Sequence, residues 1–182
     1  MSRIPGHTVE DAPPAAQPLL REMLQFSPTG RPLNLHAQLA HAPAVLEAYV
    51  SLRRATGQPG LLDQPTRTAL LVTTATACDS PYAQAILSAL AIRSGWRRDQ
   101  VDALLAGKDL GEPEADALIG VIREAAANSG RVADRTWDTA LRAGWTDQHL
   151  AEAFGYLGLA VFTSYFLNYA DTEVDIPAAG AV

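Results

Sequence analysis

The chain has 182 residues, of which 48% are apolar, and a formal net charge of −6. That length suits one domain with a sizeable core, and the composition excludes a disordered chain. The negative balance, with no run of basic residues, argues against nucleic acid and anionic membrane surfaces as partners.

Residues 1–11 carry Gly and Pro without a period and are expected to form an irregular arm; residues 12–182 then make a single domain. The arm shows no apolar signal segment, so the expected location is the cytoplasm. Pro13 and Pro14 suit a helix start, with Leu19, Leu20, Met23 and Leu24 on one face. Ser27-Pro28-Thr29-Gly30 ends that helix as a turn. A short helix is expected over Leu33–His41. A further helix opens at Pro43 and carries the stripe Val45, Leu46, Tyr49 and Leu52. Gly57-Gln58-Pro59-Gly60 reads as a loop.

The stretch from Thr68 to Ile92 is nearly free of charge, and Asp79 and Pro81 divide it into two apolar arms. Neither arm reaches the roughly 20 residues of a membrane span. The expected structure is a buried helical hairpin with its corner at Cys78-Asp79-Ser80-Pro81. Asp63 is placed to cap the first arm and Asp79 or Ser80 the second, with Gly95 closing it.

Helices follow over Arg98–Ala106, Pro113–Asn128 and Ala133–Arg142. Thr146 then caps a long helix over Asp147–Tyr169. That helix is apolar nearly all round, which requires burial on most sides. In so small a domain part of that burial is expected from another subunit. No alternating strand pattern is present, so the fold class is all-α. A weak repeat is visible: Gly95-Trp96 leads through Asp99-Gln100 to Val101 and Leu104, and Gly144-Trp145 through Asp147-Gln148 to Leu150 and Phe154. The plain reading is two helix-turn-helix corners with Trp packed beneath; the other is a repeat with a function of its own.

Cys78 is the sole cysteine, which excludes an intrachain disulfide and any zinc site built from several cysteines. His7, His36, His41 and His149 fall in no metal-ligand spacing. No metal and no cofactor are expected.

Several pieces carry a resemblance. They are Leu39-Ala40-His41-Ala42-Pro43, the Leu62–Leu71 helix start, the two Gly-Trp corners, and the ending Phe162-Thr163-Ser164-Tyr165-Phe166, Ala170, Thr172-Glu173-Val174-Asp175-Ile176-Pro177. In that order they resemble the alkylhydroperoxidase D (AhpD)-like superfamily, which includes the carboxymuconolactone decarboxylases, and within it the peroxidase-related branch. The resemblance implies an AhpD-like all-α subunit assembled as a trimer or hexamer. It also implies, in redox members, a Glu, a Cys-x-x-Cys pair and a His that relay protons and electrons. Laid on that pattern, the Glu position holds Thr68, the Cys positions hold Ser80 and Ala83, and the His position holds Leu87.

That leaves a set of candidates to weigh. Cys78 is read either as a single-cysteine peroxidase-type centre before a helix N-terminus, opposed by the charge of Asp79, or as a small core residue. Ser80 belongs to the same corner. Thr68, Thr73, Thr74, Tyr82, Ala83, Leu87, Tyr165 and Asn168 are read as pocket-lining positions, or as back-bonded and packed ones. A thiol-independent decarboxylase of a small carboxylated lactone needs an acid or base and a cation for the substrate carboxylate, which Arg67, Arg93 or a neighbouring subunit would supply. The leading expectation is a protein that keeps the scaffold and lacks the dithiol centre, with a small-molecule-binding or structural role. A protein-interaction module using the last helix is the expectation of a different class.

Overall fold

The computed structural model describes residues 2–176; Pro177, the end of the tail motif, and the rest of the domain read to 182 lie outside the described residues. Among the described residues nine α-helices follow one another: α1 (Gln17–Met23), continued by a 3₁₀ turn at Leu24–Phe26, then α2 (Asn34–Leu39), α3 (Pro43–Gly57), α4 (Gln64–Ala77), α5 (Pro81–Arg93), α6 (Arg98–Leu105), α7 (Pro113–Ala127), α8 (Asp134–Arg142) and α9 (Asp147–Tyr169). Among the described residues there is no β-strand.

The central helix is α4, which packs against α5, α6, α7 and α9. Thr68 through Ala75 are all buried, because neighbours surround it on every side. This sets its composition: Ala, Leu and Val fill the contacts, and two of its Thr residues bond back along the helix. Thr74 donates to the Leu70 carbonyl at 2.9 Å and Thr76 to that of Val72 at 2.9 Å. Asp63 caps α4 as expected, accepting from the Thr66 amide at 2.9 Å.

The first helix departs from expectation. Pro13 and Pro14 do not open it; Pro13 begins a turn in which the Ala16 amide bonds the Pro13 carbonyl at 2.7 Å, and α1 starts at Gln17 with Pro18 in its first turn. A proline fits any first turn, and the later one is used.

The repeat extends beyond its two corners. Both α5 and α8 end in the same motif: the Gly95 amide bonds Ile92 and the Trp96 amide bonds Ala91, while the Gly144 amide bonds Leu141 and the Trp145 amide bonds Ala140. Gly95 (φ 115°) and Gly144 (φ 103°) supply the left-handed turn. Each indole then donates to a carbonyl 31 residues upstream, Trp96 to Pro65 at 2.7 Å and Trp145 to Glu114 at 2.8 Å. Pro65 and Glu114 both lie in the first turn of their helices. The offset that superposes the tryptophans also superposes the starts of α4 and α7, and of α6 and α9. The chain therefore contains two structural copies of one helix–helix–corner unit.

Candidate functional site

The hairpin corner is built by the C-terminus of α4. Asp79 adopts φ 46° and takes the place a glycine usually holds after a helix: its amide bonds Thr76, and the Ser80 amide bonds Ala75. The expectation that Asp79 or Ser80 caps α5 with a side chain is thereby corrected. Ser80 occupies the N-cap position, makes no side-chain cap hydrogen bond, and is fully buried with its hydroxyl unpartnered.

Cys78 is the residue that ends α4. As expected it lies just before a helix, α5, whose N-terminal dipole favours thiolate, but it also sits at the C-terminal, electronegative end of α4, which opposes thiolate. The thiol is half-buried, and burial pushes its pKa up. Asn168 of α9 donates to the Cys78 carbonyl at 2.9 Å and reaches the Asp79 carbonyl at 3.4 Å, so α9 clamps the corner through its backbone.

Tyr82 and Ala83, in the first turn of α5, flank that corner, and Thr68 does not. Thr68 lies ten residues up α4 from Cys78, about 15 Å along the axis. It is buried at the open end of the hairpin, with its hydroxyl 2.7 Å from that of Ser94 and 2.8 Å from the Pro65 carbonyl. Ala83 is buried and Leu87 half-buried, packed against the core. Tyr82 is buried, and its phenol donates to Asp175 at 2.6 Å. Burial, then the Asp175 carboxylate, push that phenol's pKa far up. Tyr165 is 60% exposed. Thr73, Ser88 and Ser164 are buried hydroxyls without a partner among the described residues.

Arg67 is engaged away from the hairpin corner. The Arg67 guanidinium binds the Leu62 carbonyl at 2.7 Å and the Gln58 carbonyl at 3.2 Å, and lies 3.7 Å from Glu152 of α9. Glu152 in turn accepts from the amides of Leu61 at 2.6 Å and Leu62 at 3.3 Å. Gly60 leaves room for that carboxylate, which a Cβ there would displace. Asp175 is held by Tyr82 and by the Asn34 amide at 2.8 Å. His41 is exposed and bonds the Pro5 carbonyl at 2.9 Å, a packing role.

A buried polar group that the sequence did not single out lies on α2. His36 is 2% exposed, sits 3.3 Å from the Tyr49 hydroxyl, and has a second ring nitrogen without a partner. Burial, then the nearby Arg53 charge, hold its pKa down to about 3. Two open clefts lie away from the hairpin, on the α7–α8 side. One of about 450 Å³ is lined by Glu124, Asn128 and Arg131, the other of about 370 Å³ by Asp116, Arg135 and Arg142. No group of His, Cys, Asp and Glu among the described residues is arranged to hold a metal.

A peroxidase-related protein from Ralstonia eutropha JMP134, described as an alkylhydroperoxidase AhpD core, superposes with a TM-score of 0.83. The match covers 96% of this chain and 92% of that one, at 18% identity. This chain has the AhpD-like fold. A peroxidase-related protein from Silicibacter sp. TM1040 shares it, with a TM-score of 0.76, coverage of 99% and 98%, and 14% identity. So does the debrominase Bmp8, with a TM-score of 0.75, coverage of 89% and 87%, and 16% identity. Bmp8 has also been solved as a cysteine-to-alanine variant in complex with 2,3,4-tribromopyrrole. No family model matches the chain, and no curated protein matches it in sequence. The AhpD-like fold accounts for the ordered motifs read in the sequence, from the Leu62–Leu71 helix start to the tail.

Proposed function

We propose that this chain is an AhpD-like protein of the carboxymuconolactone decarboxylase superfamily that has lost the family's thiol–disulfide chemistry and keeps a small-molecule-binding or structural role. The observation that carries this reading is the environment of Cys78. It is the sole thiol of the chain. A dithiol mechanism needs a second thiol to resolve the sulfenic acid, and Ser80, Ala83, Leu87 and Thr68 stand where the resemblance puts the redox and proton-relay groups.

A single-cysteine mechanism needs thiolate. Burial and the C-terminus of α4 both oppose it at Cys78, and among the described residues no imidazole, guanidinium or carboxylate side chain is hydrogen-bonded to the sulfur. The decarboxylase reading needs a free cation beside the hairpin. Arg67 is committed to the 58–62 loop and Glu152, which leaves that reading the exposed Arg93 or a neighbouring subunit.

The test is peroxide consumption by the full chain with a dithiol reductant. The expected result is no turnover above the reductant alone. Turnover that Cys78→Ser abolishes would overturn the proposal.

A further inference from the structure

The two hairpins of the repeat differ in how they fill the groove between their arms. The offset that superposes the tryptophans sets Leu71 against Gly120, Ile86 against Arg135, Leu87 against Thr136 and Leu90 against Thr139. In the first copy these positions are all aliphatic, with Leu71 buried and the other three half-buried. In the second copy they open a cleft of about 370 Å³ between α7 and α8. Its α7 side carries Ala117 and Gly120, and its α8 side Arg135, Thr139 and Arg142. Gly120 lies inside α7, where glycine is destabilising relative to alanine. A Cβ there would meet nothing within 4 Å, so no neighbour among the described residues calls for it. Its effect is to leave the α7 backbone bare to whatever enters the cleft.

The charges of the cleft are unevenly satisfied. Arg135, Thr139 and Arg142 recur in steps of four and three, which places them on one face of α8. The Thr139 hydroxyl donates to the Arg135 carbonyl at 2.7 Å and accepts from the Arg142 guanidinium at 3.1 Å, which folds that guanidinium back toward Arg135. Among the described residues neither guanidinium is in an ion pair. The acids nearby are already taken. Asp116 accepts the amides of Leu110 at 2.6 Å, Gly111 at 2.9 Å and Glu112 at 3.0 Å. Asp109 pairs with Arg123 at 3.0 Å. Glu124, whose charge is felt at Arg135, accepts from the Ala133 amide at 3.0 Å and from the Thr136 hydroxyl. Two guanidiniums therefore face a concave space with no partner of their own.

We propose that the α7–α8 cleft binds a small phosphate-bearing molecule, with its phosphate held by Arg135 and Arg142 over Thr139 and its body lying on Gly120 and Ala117. A guanidinium fork matches the oxygens of a phosphate two at a time, and two forks match its double charge. A cation would meet both guanidiniums and find every nearby carboxylate occupied. The volume is at the small end of ligand sites, which suits a molecule of a few atoms beyond the phosphate. The overall charge of −6 gives a nucleic acid no basic surface around it. The proposal is independent of the thiol: peroxide turnover at Cys78 would overturn the reading above and leave this cleft as it is.

The test is calorimetric titration of the full chain at low, fixed ionic strength with inorganic phosphate, glycerol 3-phosphate and succinate, with circular dichroism to show that each variant folds. Saturable binding of phosphate or glycerol 3-phosphate, tighter than that of succinate, is expected. R135A/R142A is expected to raise the Kd at least about tenfold, as expected for the loss of charge-assisted hydrogen bonds. Gly120→Leu, which gives the second copy the residue of the first, is expected to do the same without removing a charge. R21A/R97A removes two exposed arginines elsewhere and is expected to leave the Kd unchanged. No saturable binding of either phosphate up to about 10 mM would overturn the proposal. So would a tighter succinate, a Kd unmoved in folded R135A/R142A or Gly120→Leu, or an equal loss in R21A/R97A, which would mean a diffuse charge effect.

Discussion

The two copies of the helix–helix–corner unit share a framework and differ in what surrounds it. Both close with a left-handed glycine, an indole donating to a first-turn carbonyl, and a fully buried alanine, Ala91 or Ala140, that accepts the tryptophan amide. Both continue into a helix whose third residue reaches back to the N-cap amide: Gln100 accepts from Arg97 at 3.1 Å, and His149 from Thr146 at 3.2 Å. In the first copy the second arm, α5, is covered by α9 and α6, and its first turn is buried at Tyr82 and Ala83. In the second copy the second arm, α8, buries only Ala140. The corner hydrogen bonds are local and repeat with the local sequence. The chemical character of each hairpin is set by what packs on its outer arm.

The sharpest way to break this comparison is to truncate equivalent residues in the two copies. The offset that superposes the tryptophans sets Tyr82 against Arg131. Tyr82→Ala removes a buried ring and the Asp175 bond and is expected to cost about 3–5 kcal/mol of unfolding free energy. Arg131→Ala, on an exposed turn, is expected to stay within about 0.5 kcal/mol. Urea denaturation of both variants measures this; equal costs would mean the two hairpins are covered alike.

A second test uses pH, because His36 belongs to the α2–α3 side that walls the first hairpin. Its folded pKa of about 3 lies below its unfolded value of about 6.5. The folded state thus favours the neutral ring, and between these values the unfolded chain binds the extra proton. Stability is therefore full above about pH 6.5 and falls as pH is lowered through that window, by up to about 1.4 kcal/mol per pH unit. His36→Gln is expected to flatten this acid limb in denaturation curves taken from pH 7 to pH 4. An unchanged slope would show that other groups set it.

The smallest effect concerns the open ends of the hairpins. Thr68 and Ser94 share a hydrogen bond in the first copy, where the second has Ala117 and Ala143. Each single change to Ala is expected to cost about 0.5–1.5 kcal/mol, because it leaves the other hydroxyl with only its local carbonyl. The double change is expected to cost less than the two singles together, since the second copy closes with the same pair of alanines. A double-mutant cycle reads the coupling directly.

Much of the architecture was legible beforehand. The apolar period, the prolines in first turns and the glycines after last turns located the helices to within a residue or two, apart from the start of α1. Asp63 and Thr146 were legible as caps because a short oxygen-bearing side chain before a helix has one obvious use. Asp79 was misread because the same residue types also serve, more rarely, as left-handed helix ends. Which role wins depended on Ser80 being buried. The pairs Arg67–Glu152 and Tyr82–Asp175 join segments far apart in the chain, and no spacing rule reaches that distance. Tyr165 was read as a pocket residue, and its exposure becomes visible only once the inner side of α9 is known.

The sequence by itself determined that this is an all-α chain with one thiol and with hydroxyl or aliphatic side chains where its resemblance calls for redox groups. Helix periodicity and cysteine number are properties of neighbours along the chain, and they need no third dimension. Only the tertiary structure decided that the Cys78 thiol is half-buried, that Arg67 binds the 58–62 loop, and that Phe154, Tyr165 and Tyr169 of α9 are exposed. Each of those depends on which distant segment arrives at the same place, and burial is a property of that arrival.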